Sequence, residues 1–504
     1  MSRGHVFVVH ARIGHLDCDA IVVPTDRYFT VEPPWHAALG SEQLSSSAID
    51  ELTPRNWPTQ RYGRASGQTT QPTWFVDVAR YGGEPADELS DVMARLRATL
   101  TDIASAGVAN ASGRVKPLVA IPTLGTGLGG FDAVRGAVIE TQLETCQQAV
   151  DRLDVDVVIV AAQPADYTAF QRARRAGKQH FDLSPDLVSR AEELATRAVS
   201  GELALFVGAG VSMGAGLPSW TELLEQLASQ AGVELAGLET SLDKAELLRR
   251  KLGDEFGQAV VQAVTGSDRY AIAHSMLATL GCTEVITTNY DTLYEKASAD
   301  VANETLPVLP YGETLPGQPW LLKMHGDVSR QDAIVLTRSD YVRYDSRSRP
   351  LGSVVQALMM TKHLLVVGAS LTDDNFLRLA HEVMEFYRSS QDAGAVRRPL
   401  GTVIDMSLNR AKELLWEGTF DYVATSTQPD TANQARDLAI FLDLLAALAA
   451  PNAHLLDERY AYLLDSQREH DAVDAARRLR AQISELGSEW GTLIHALDRL
   501  GPPS

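Results

Sequence analysis

Four short clusters in the second half of the chain carry the residue types that phosphate binding and proton transfer need. The apolar run Leu203–Val207 ends in Gly208-Ala209-Gly210-Val211-Ser212, and Gly214-Ala215-Gly216-Leu217-Pro218 follows. Ser219 and Glu222 then have the S-x-x-E spacing of a capping box, so a helix is predicted to start there. A strand, a glycine turn and a helix are how α/β folds seat a pyrophosphate, because glycine lets the backbone come close to the phosphates. Taken alone, such a turn is a weak signal. Three more clusters add to it: Thr287-Thr288-Asn289-Tyr290-Asp291, Lys323-Met324-His325-Gly326-Asp327, and Gly368-Ala369-Ser370-Leu371. Each follows a predicted strand (Glu284–Thr287, Trp320–Met324 and Leu364–Val367), and the carboxyl ends of strands are where open α/β sheets bind ligands. Singly, each is ordinary turn chemistry. Together they point to one site, and a histidine within it could move a proton near neutral pH.

A second set lies in the first half. Asp17-Cys18-Asp19 leads into the apolar Ala20-Ile21-Val22-Val23. Further on, the strand-like Leu118–Ile121 is followed by Gly125-Thr126-Gly127-Leu128-Gly129-Gly130-Phe131, four glycines in six positions. Backbone amides of such a loop can wrap a phosphate; the plain alternative is a tight strand-to-helix connection.

These clusters need a scaffold, and the pattern supplies one. Val6–Val9, Ala20–Val23, Trp74–Val78, Leu118–Ile121 and Val155–Val160 read as strands, with Asp87–Ala106 and Ala133–Arg152 as amphipathic helices between them. After a basic stretch, Gln171–Pro185, read as a linker, and a helix Leu187–Val199, the strands Leu203–Val207, Glu284–Thr287, Trp320–Met324, Leu364–Val367 and Gly401–Ile404 alternate with helical segments. Short, wholly apolar strands of this kind are typical of buried parallel sheets. Residues beyond 451 read as helix only (Tyr460–Asp465, Ala472–Leu486, Trp490–Leu500).

Composition narrows the function. The net charge is −20, which argues against a nucleic-acid backbone binder with a broad basic face. The three cysteines, Cys18, Cys146 and Cys282, are far apart and too few for a four-thiolate zinc site, so no metal is expected. Met1–His5 runs straight into a strand and does not read as a signal peptide. The most apolar late stretch, Leu438–Ala450, contains Asp443 and is well short of the roughly 20 apolar residues that span a bilayer. A cytoplasmic protein without membrane association is the expectation.

The order Gly-Ala-Gly-x-Ser with a downstream Gly-Leu-Pro, then Thr-x-Asn-x-Asp, His-Gly and Gly-x-Ser-Leu resembles the sirtuin superfamily over roughly residues 200–425. The cysteine pairs of the deacylases' zinc module are missing, and Ser219-Trp220-Thr221 replaces the acidic-Phe-Arg run after Gly-Ile-Pro. The chain therefore looks closer to the zinc-free, sirtuin-like NAD hydrolases of bacterial anti-phage systems of the Thoeris-effector type, which share Thr-Thr-Asn-Tyr-Asp. The resemblance implies NAD as substrate, cleaved to nicotinamide and ADP-ribose. It implies that Asn289 orients the water or the ribose hydroxyls, that His325 is the general base, and that Asp291 orients the polar shell. Gly208, Ala209, Gly210, Ser212, Thr288, Gly368 and Ser370 would line the phosphates and ribose, and Asp374 would cap a helix or touch the ligand. Residues 5–170 are similar to the macro domain. That similarity implies an ADP-ribose-like ligand, Asp19 at its adenine with Ile21 beside it, and Gly125, Thr126, Gly127, Leu128, Gly129, Gly130 and Phe131 around its phosphates. Pro24-Thr25-Asp26-Arg27 and the proline-rich Glu32–Trp35 depart from the hydrolase form of that family, which favours binding over catalysis.

The expected architecture is α/β. It has a macro-like domain (1–170), a linker (171–185), a Rossmann-like, sirtuin-type doubly wound parallel sheet (186–450) and a C-terminal helical segment (451–504). The expected function is an NAD glycohydrolase of anti-phage defence, acting as a homo-oligomer and regulated by a nucleotide at the first domain. The alternatives are a sirtuin-type protein deacylase or ADP-ribosyltransferase, and a non-catalytic nucleotide sensor.

Overall fold

The computed structural model describes residues 3–79, 88–110, 113–179, 181–390 and 398–501. The chain divides into two compact units: Met1–Asp182 together with Ala446–Ser504, and Leu183–Leu445.

The first unit is built on six strands, β1 (Val6–His10), β2 (Ala20–Thr25), β3 (Tyr62–Arg64), β4 (Thr73–Asp77), β5 (Leu118–Pro122) and β6 (Asp156–Ala161). Their order in the sheet is β1-β6-β5-β2-β4-β3, and all neighbours are parallel except β3 and β4. Every residue of β1, β2, β4, β5 and β6 is buried, as a sheet covered on both faces requires. β3, a Tyr-Gly-Arg edge strand with no apolar run, is not visible in the sequence pattern. The expected helix Asp87–Ala106 is found as Leu89–Ser105; Asp87 lies outside the described residues.

The expected linker, 171–185, belongs largely to this unit. The helix Pro164–Ala173 runs into it and continues as a π-turn, Arg174–Lys178. Arg174 is only 1% exposed, and its guanidinium donates to the Val6 carbonyl and to Gln171. Arg172 donates to the Leu463 carbonyl and to Glu469, and Arg175 to the Ala447 carbonyl. The three arginines that suggested a solvated connection bond backbone carbonyls instead, and Arg172 and Arg175 hold the C-terminal segment in place. His180, in the same stretch, lies outside the described residues.

The second unit holds seven strands, β7 (Leu203–Val207), β8 (Glu284–Thr287), β9 (Val308–Leu309), β10 (Trp320–Lys323), β11 (His363–Val367), β12 (Gly401–Ser407) and β13 (Phe420–Ser426). They lie in the order β13-β12-β11-β7-β8-β10-β9, and every neighbouring pair is parallel. From β7 the chain builds outward through β8 and β10, then returns to place β11 on the other side of β7. That reversal leaves a crevice above the carboxyl ends of β7, β8 and β11, the position where doubly wound sheets receive ligands. The helix Trp220–Ala231 starts at the capping box expected from the sequence, with Ser219 and Glu222 each accepting from the other's backbone N–H. Among the described residues no helix is long and apolar enough to cross a membrane.

Candidate active site

The four clusters meet. A cleft of about 550 Å³ in the second unit is lined by Gly208, Ala209, Ser212, Thr288, Asn289, Asp291, His325, Gly368, Ser370 and Asp374. Of the expected residues of this site only Gly210 does not line it: its N–H donates to the Gly368 carbonyl at 2.8 Å. The loops after β7 and β11 are pressed backbone against backbone. A Cβ on Gly208 would stand 2.4 Å from the Gly368 oxygen, and one on Gly368, at φ +71°, 2.6 Å from the Val211 nitrogen. Glycine is thus needed here first for loop to meet loop. Beside it Leu371, buried at the cleft wall, holds φ +51°, a left-handed backbone that a non-glycine residue adopts only under local constraint.

The floor of the cleft is a hydrogen-bonded node centred on Ser212, which is buried. Its Oγ donates to Asp291 Oδ2 (2.9 Å) and accepts from Asn289 Nδ2 (3.2 Å). Asn289 Nδ2 also donates to the Gly208 carbonyl (3.3 Å). Both amide hydrogens of Asn289 are therefore engaged, and its Oδ1 is buried with no partner, a free acceptor at the cleft. Asp291 Oδ1 accepts from the Leu293 N–H at the start of the helix Leu293–Ala302, so this carboxylate works on the protein and holds Ser212. His274 Nε2 lies 3.3 Å from Ser212 Oγ; the ring is fully buried, and burial lowers its pKa and keeps it neutral. Beneath the loops, Lys323 Nζ donates to the carbonyls of Tyr290 and Asp291 and is paired with Glu295 and Asp327. Burial alone would lower the Lys323 pKa, but the two carboxylates outweigh it and keep the ammonium charged. One buried cation thus ties the Asn289 loop to the His325 loop.

His325 is 1% exposed. Its Nε2 lies 3.3 Å from Asp373 Oδ2, and neither ring nitrogen has an aligned hydrogen-bond partner. Its ring meets Tyr341 edge-on at 5.5 Å. The helix cap expected at Asp374 falls one residue earlier: Asp374 is the first residue of the helix Asp374–Ser390, and Asp373 Oδ1 accepts from the Phe376 N–H.

In the first unit the glycine loop is where the sequence puts it, after β5. The Phe131 N–H donates to the Gly125 carbonyl, and Arg135 donates to the Thr126 carbonyl while paired with Asp132 and Asp166. Tyr460 donates to Asp166 and Arg459 pairs with Asp132, so the C-terminal segment braces the base of this loop. Gly127 has open space around its Cα, and Leu128 is 84% exposed; Gly129 packs on Gly125, and Phe131 is buried. The expectation that Asp19 and Ile21 meet the adenine of a ligand held by this loop is corrected. Asp19 precedes β2, and the glycine loop follows β5; because β2 and β5 run parallel, the two stand at opposite ends of the sheet. Asp19 accepts from Arg114 (3.1 Å) and from the Leu118 N–H (2.7 Å) and pins the starts of the two strands together. Ile21 is sealed inside β2.

Residues 283–411 match the SIR2-like domain. The chain is 30% identical over 199 residues to the NAD(+) hydrolase ThsA of Enterococcus faecium, covering 38% of this chain and 42% of that protein. It is 29% identical over 195 residues to the NAD(+) hydrolase ThsA of Bacillus cereus, covering 37% and 41%. It is 24% identical over 229 residues to Defense-associated sirtuin 2 of Bacillus subtilis, covering 41% and 22%. The chain thus spans 42% and 41% of the length of the first two relatives. A solved macrodomain mutant of Oceanobacillus iheyensis with ADPR overlays at a TM-score of 0.24 and 12% identity, covering 34% of this chain and 91% of that one. The α/β architecture of the first unit rests on its own strand order.

Within the second unit, several residues in or beside the cleft lie outside the sequence motifs. Asp373 follows Gly-Ala-Ser-Leu-Thr, where an Asp before a helix reads as a cap and nothing more. Tyr341 and Arg338 come from the helix Arg338–Thr361, far along the chain. Trp220, the first residue of its helix, also lines the cleft. His274, which contacts Ser212 without lining the cleft, sits in the short, mostly apolar helix Ile272–Ala278.

Proposed function

We propose that the SIR2-like unit is an NAD glycohydrolase acting in anti-phage defence, and that the first unit binds an ADP-ribose-like nucleotide that regulates it. The observation that carries the catalytic reading is the meeting of four motif loops at one cleft, with the Asn289 acceptor unpaired and His325 in the wall. The pyrophosphate would lie along Gly208–Ala209 and Gly368–Ser370, and the nicotinamide ribose over Asn289. In the reaction the bond from ribose C1′ to the nicotinamide nitrogen breaks and nicotinamide leaves as a neutral base. Water oxygen bonds to C1′, through a transition state with oxocarbenium character. Asn289 Oδ1 would accept from the attacking water or a ribose hydroxyl, and His325 would take up the proton that the water loses.

The regulatory part has the braced glycine loop after β5 as its support. With Asp19 at the other end of the sheet, the adenine partner must come from loops on the glycine-loop side. The loop after β2 is one of these: Asp26 folds it by accepting from the Tyr28 and Thr30 N–H groups. Ligand can switch the enzyme only by binding its active arrangement more tightly.

The test is incubation of the purified full chain with NAD, alone and with a panel of ADP-ribose derivatives, followed by chromatography of the products. Free nicotinamide and ADP-ribose, lost in Asn289→Ala and His325→Ala, are expected. ADP-ribose attached to a protein acceptor would instead favour a transferase. NAD surviving under every condition would refute the enzyme reading.

A further inference from the structure

Asn289 and His325 carry the proposed chemistry and leave Asp373 without a part in it. A helix cap uses one carboxylate oxygen, and Ser, Thr or Asn would serve equally. Here Oδ1 does the capping, accepting from the Phe376 N–H at 2.9 Å. The other oxygen is aimed elsewhere. Asp373 Oδ2 accepts from the Tyr341 hydroxyl at 2.5 Å and lies 3.3 Å from His325 Nε2. The carboxylate is thus held by two separate elements, the turn of its own helix and the helix Arg338–Thr361, and presented to one nitrogen of a ring that is otherwise without hydrogen-bond partners.

We infer that Asp373 is a positioning residue: it holds the proton of the His325 ring on Nε2, leaving Nδ1 as the base, and Tyr341 holds the carboxylate in place. An ionised carboxylate beside one imidazole nitrogen favours the N–H there and raises the basicity of the ring. Burial pushes the Asp373 carboxyl up, but His325, the Tyr341 hydroxyl and the Phe376 N–H outweigh it and bring it down to about 2, so it is charged at any working pH. The other titratable groups packed around the ring or lining the cleft are Tyr290 and Asp291, Arg338, Tyr341 and Tyr344, and Asp374, with Arg378 acting on Tyr344. Burial, and Asp373 itself, push the three phenols up and keep them neutral. Asp291 is turned to Ser212 and the Leu293 N–H, and Arg338 to Asp243. Asp373 is the charged group in contact with the ring.

The inference rests on the NAD-cleaving reading for its purpose, yet it is testable without turnover. In the full-length protein free of NAD, the His325 ring is titrated by NMR, with its signal identified by its loss in His325→Gln. Asp373→Asn keeps the cap and removes the charge, so the ring is expected to take up its proton only at lower pH than in the parent. Tyr341→Phe removes the donor that competes for the carboxylate, so the ring pKa is expected to rise. With NAD, Asp373→Asn should lower kcat about 10²-fold with KM within threefold, and the acid limb of the pH profile should move as the NMR titration does. An unchanged His325 titration in both variants, or a shift of the same sign in both, overturns the inference. If Asp373→Asn fails to fold, the rise in Tyr341→Phe decides alone. Shifts of opposite sign in a protein that leaves NAD intact would uphold the pair and refute the NADase reading. Turnover without the shifts would do the reverse.

Discussion

Replacing Ser212 with Ala removes a single oxygen and should disable the cleft. Three partners lose it at once: Asp291 Oδ2 loses a donor at 2.9 Å, Asn289 Nδ2 an acceptor at 3.2 Å, and His274 Nε2 a neighbour at 3.3 Å. A hydrogen bond to an ionised group is worth about 1.5–3 kcal/mol, and a buried polar group left unsatisfied costs about 1–3 kcal/mol. Asp291 keeps the Leu293 N–H on its other oxygen, and Asn289 keeps the Gly208 carbonyl, so their losses fall at the low end. His274, fully buried, loses the contact of its Nε2. Because the three share one atom their losses do not simply add, and a total of about 3–5 kcal/mol is expected from the second unit's stability. Activity should fall further than stability implies. The Asn289 amide, held by one bond instead of two, can turn, and its free oxygen no longer points at the substrate; a loss of about 10²-fold in kcat is expected. Urea unfolding followed by circular dichroism and an NAD cleavage assay measure the two effects on one preparation. A variant within 1 kcal/mol of the parent in stability and within twofold in turnover would show that Ser212 is not the node described.

Gly208→Ala puts a Cβ 2.4 Å from the Gly368 oxygen and 2.7 Å from the Ala369 Cα, both backbone atoms that cannot step aside; a cost above the usual overpacking of about 1–3 kcal/mol and weakened NAD binding are expected, read by thermal unfolding and calorimetry. The second unit should lose stability as pH falls from 6.5 toward 4, because burial lowers the pKa of His363 to about 4 while the unfolded histidine protonates near 6.5. The folded form resists the proton, so stability is present above 6.5 and lost below it, by up to about 3 kcal/mol from His363, and His274 acts in the same direction. Acid unfolding curves for the parent and His363→Gln check this, with a flatter curve expected in the variant. Removing residues 451–504 strips Tyr460 from Asp166 and Arg459 from Asp132 and uncovers the core that includes Tyr460 and Leu463. The first unit should then melt lower and be cut by protease near the glycine loop, whereas the milder Tyr460→Phe should cost about 1–2 kcal/mol.

Much of the scaffold could be read from the sequence, because apolar runs of four or five residues such as Leu203–Val207 and Leu364–Val367, too short for a buried helix and ended by turn residues, read as buried strands, and the polar clusters follow them directly. The strand pattern does not show what lies across the cleft. Tyr341 and His274 come from helices outside the four clusters, and only packing brings them to His325 and Ser212. Asp373 was hidden by an ambiguity of type, since a capping Asp and an Asp aimed at a histidine look alike in sequence. The misplacement of Asp19 has a simpler physical cause. A residue before a strand and a loop after its parallel neighbour lie at opposite ends of the sheet, and direction, more than residue type, decides which can share a ligand. The basic stretch at 171–178 misled for the opposite reason: arginines usually mark solvent, but Arg174 is buried, donating to the Val6 carbonyl and to Gln171. β13, Phe420–Ser426, mixes buried and half-buried residues at the sheet's edge and lacks the apolar run that marks its neighbours.

The most direct measurement is a crystal structure of His325→Ala with uncleaved NAD. The dinucleotide is expected in the cleft of the second unit, with the nicotinamide ribose against Asn289 Oδ1 and the pyrophosphate between the Gly208 and Gly368 loops. NAD bound elsewhere on the chain, or in the cleft with its nicotinamide ribose turned away from Asn289 and position 325, would contradict this placement.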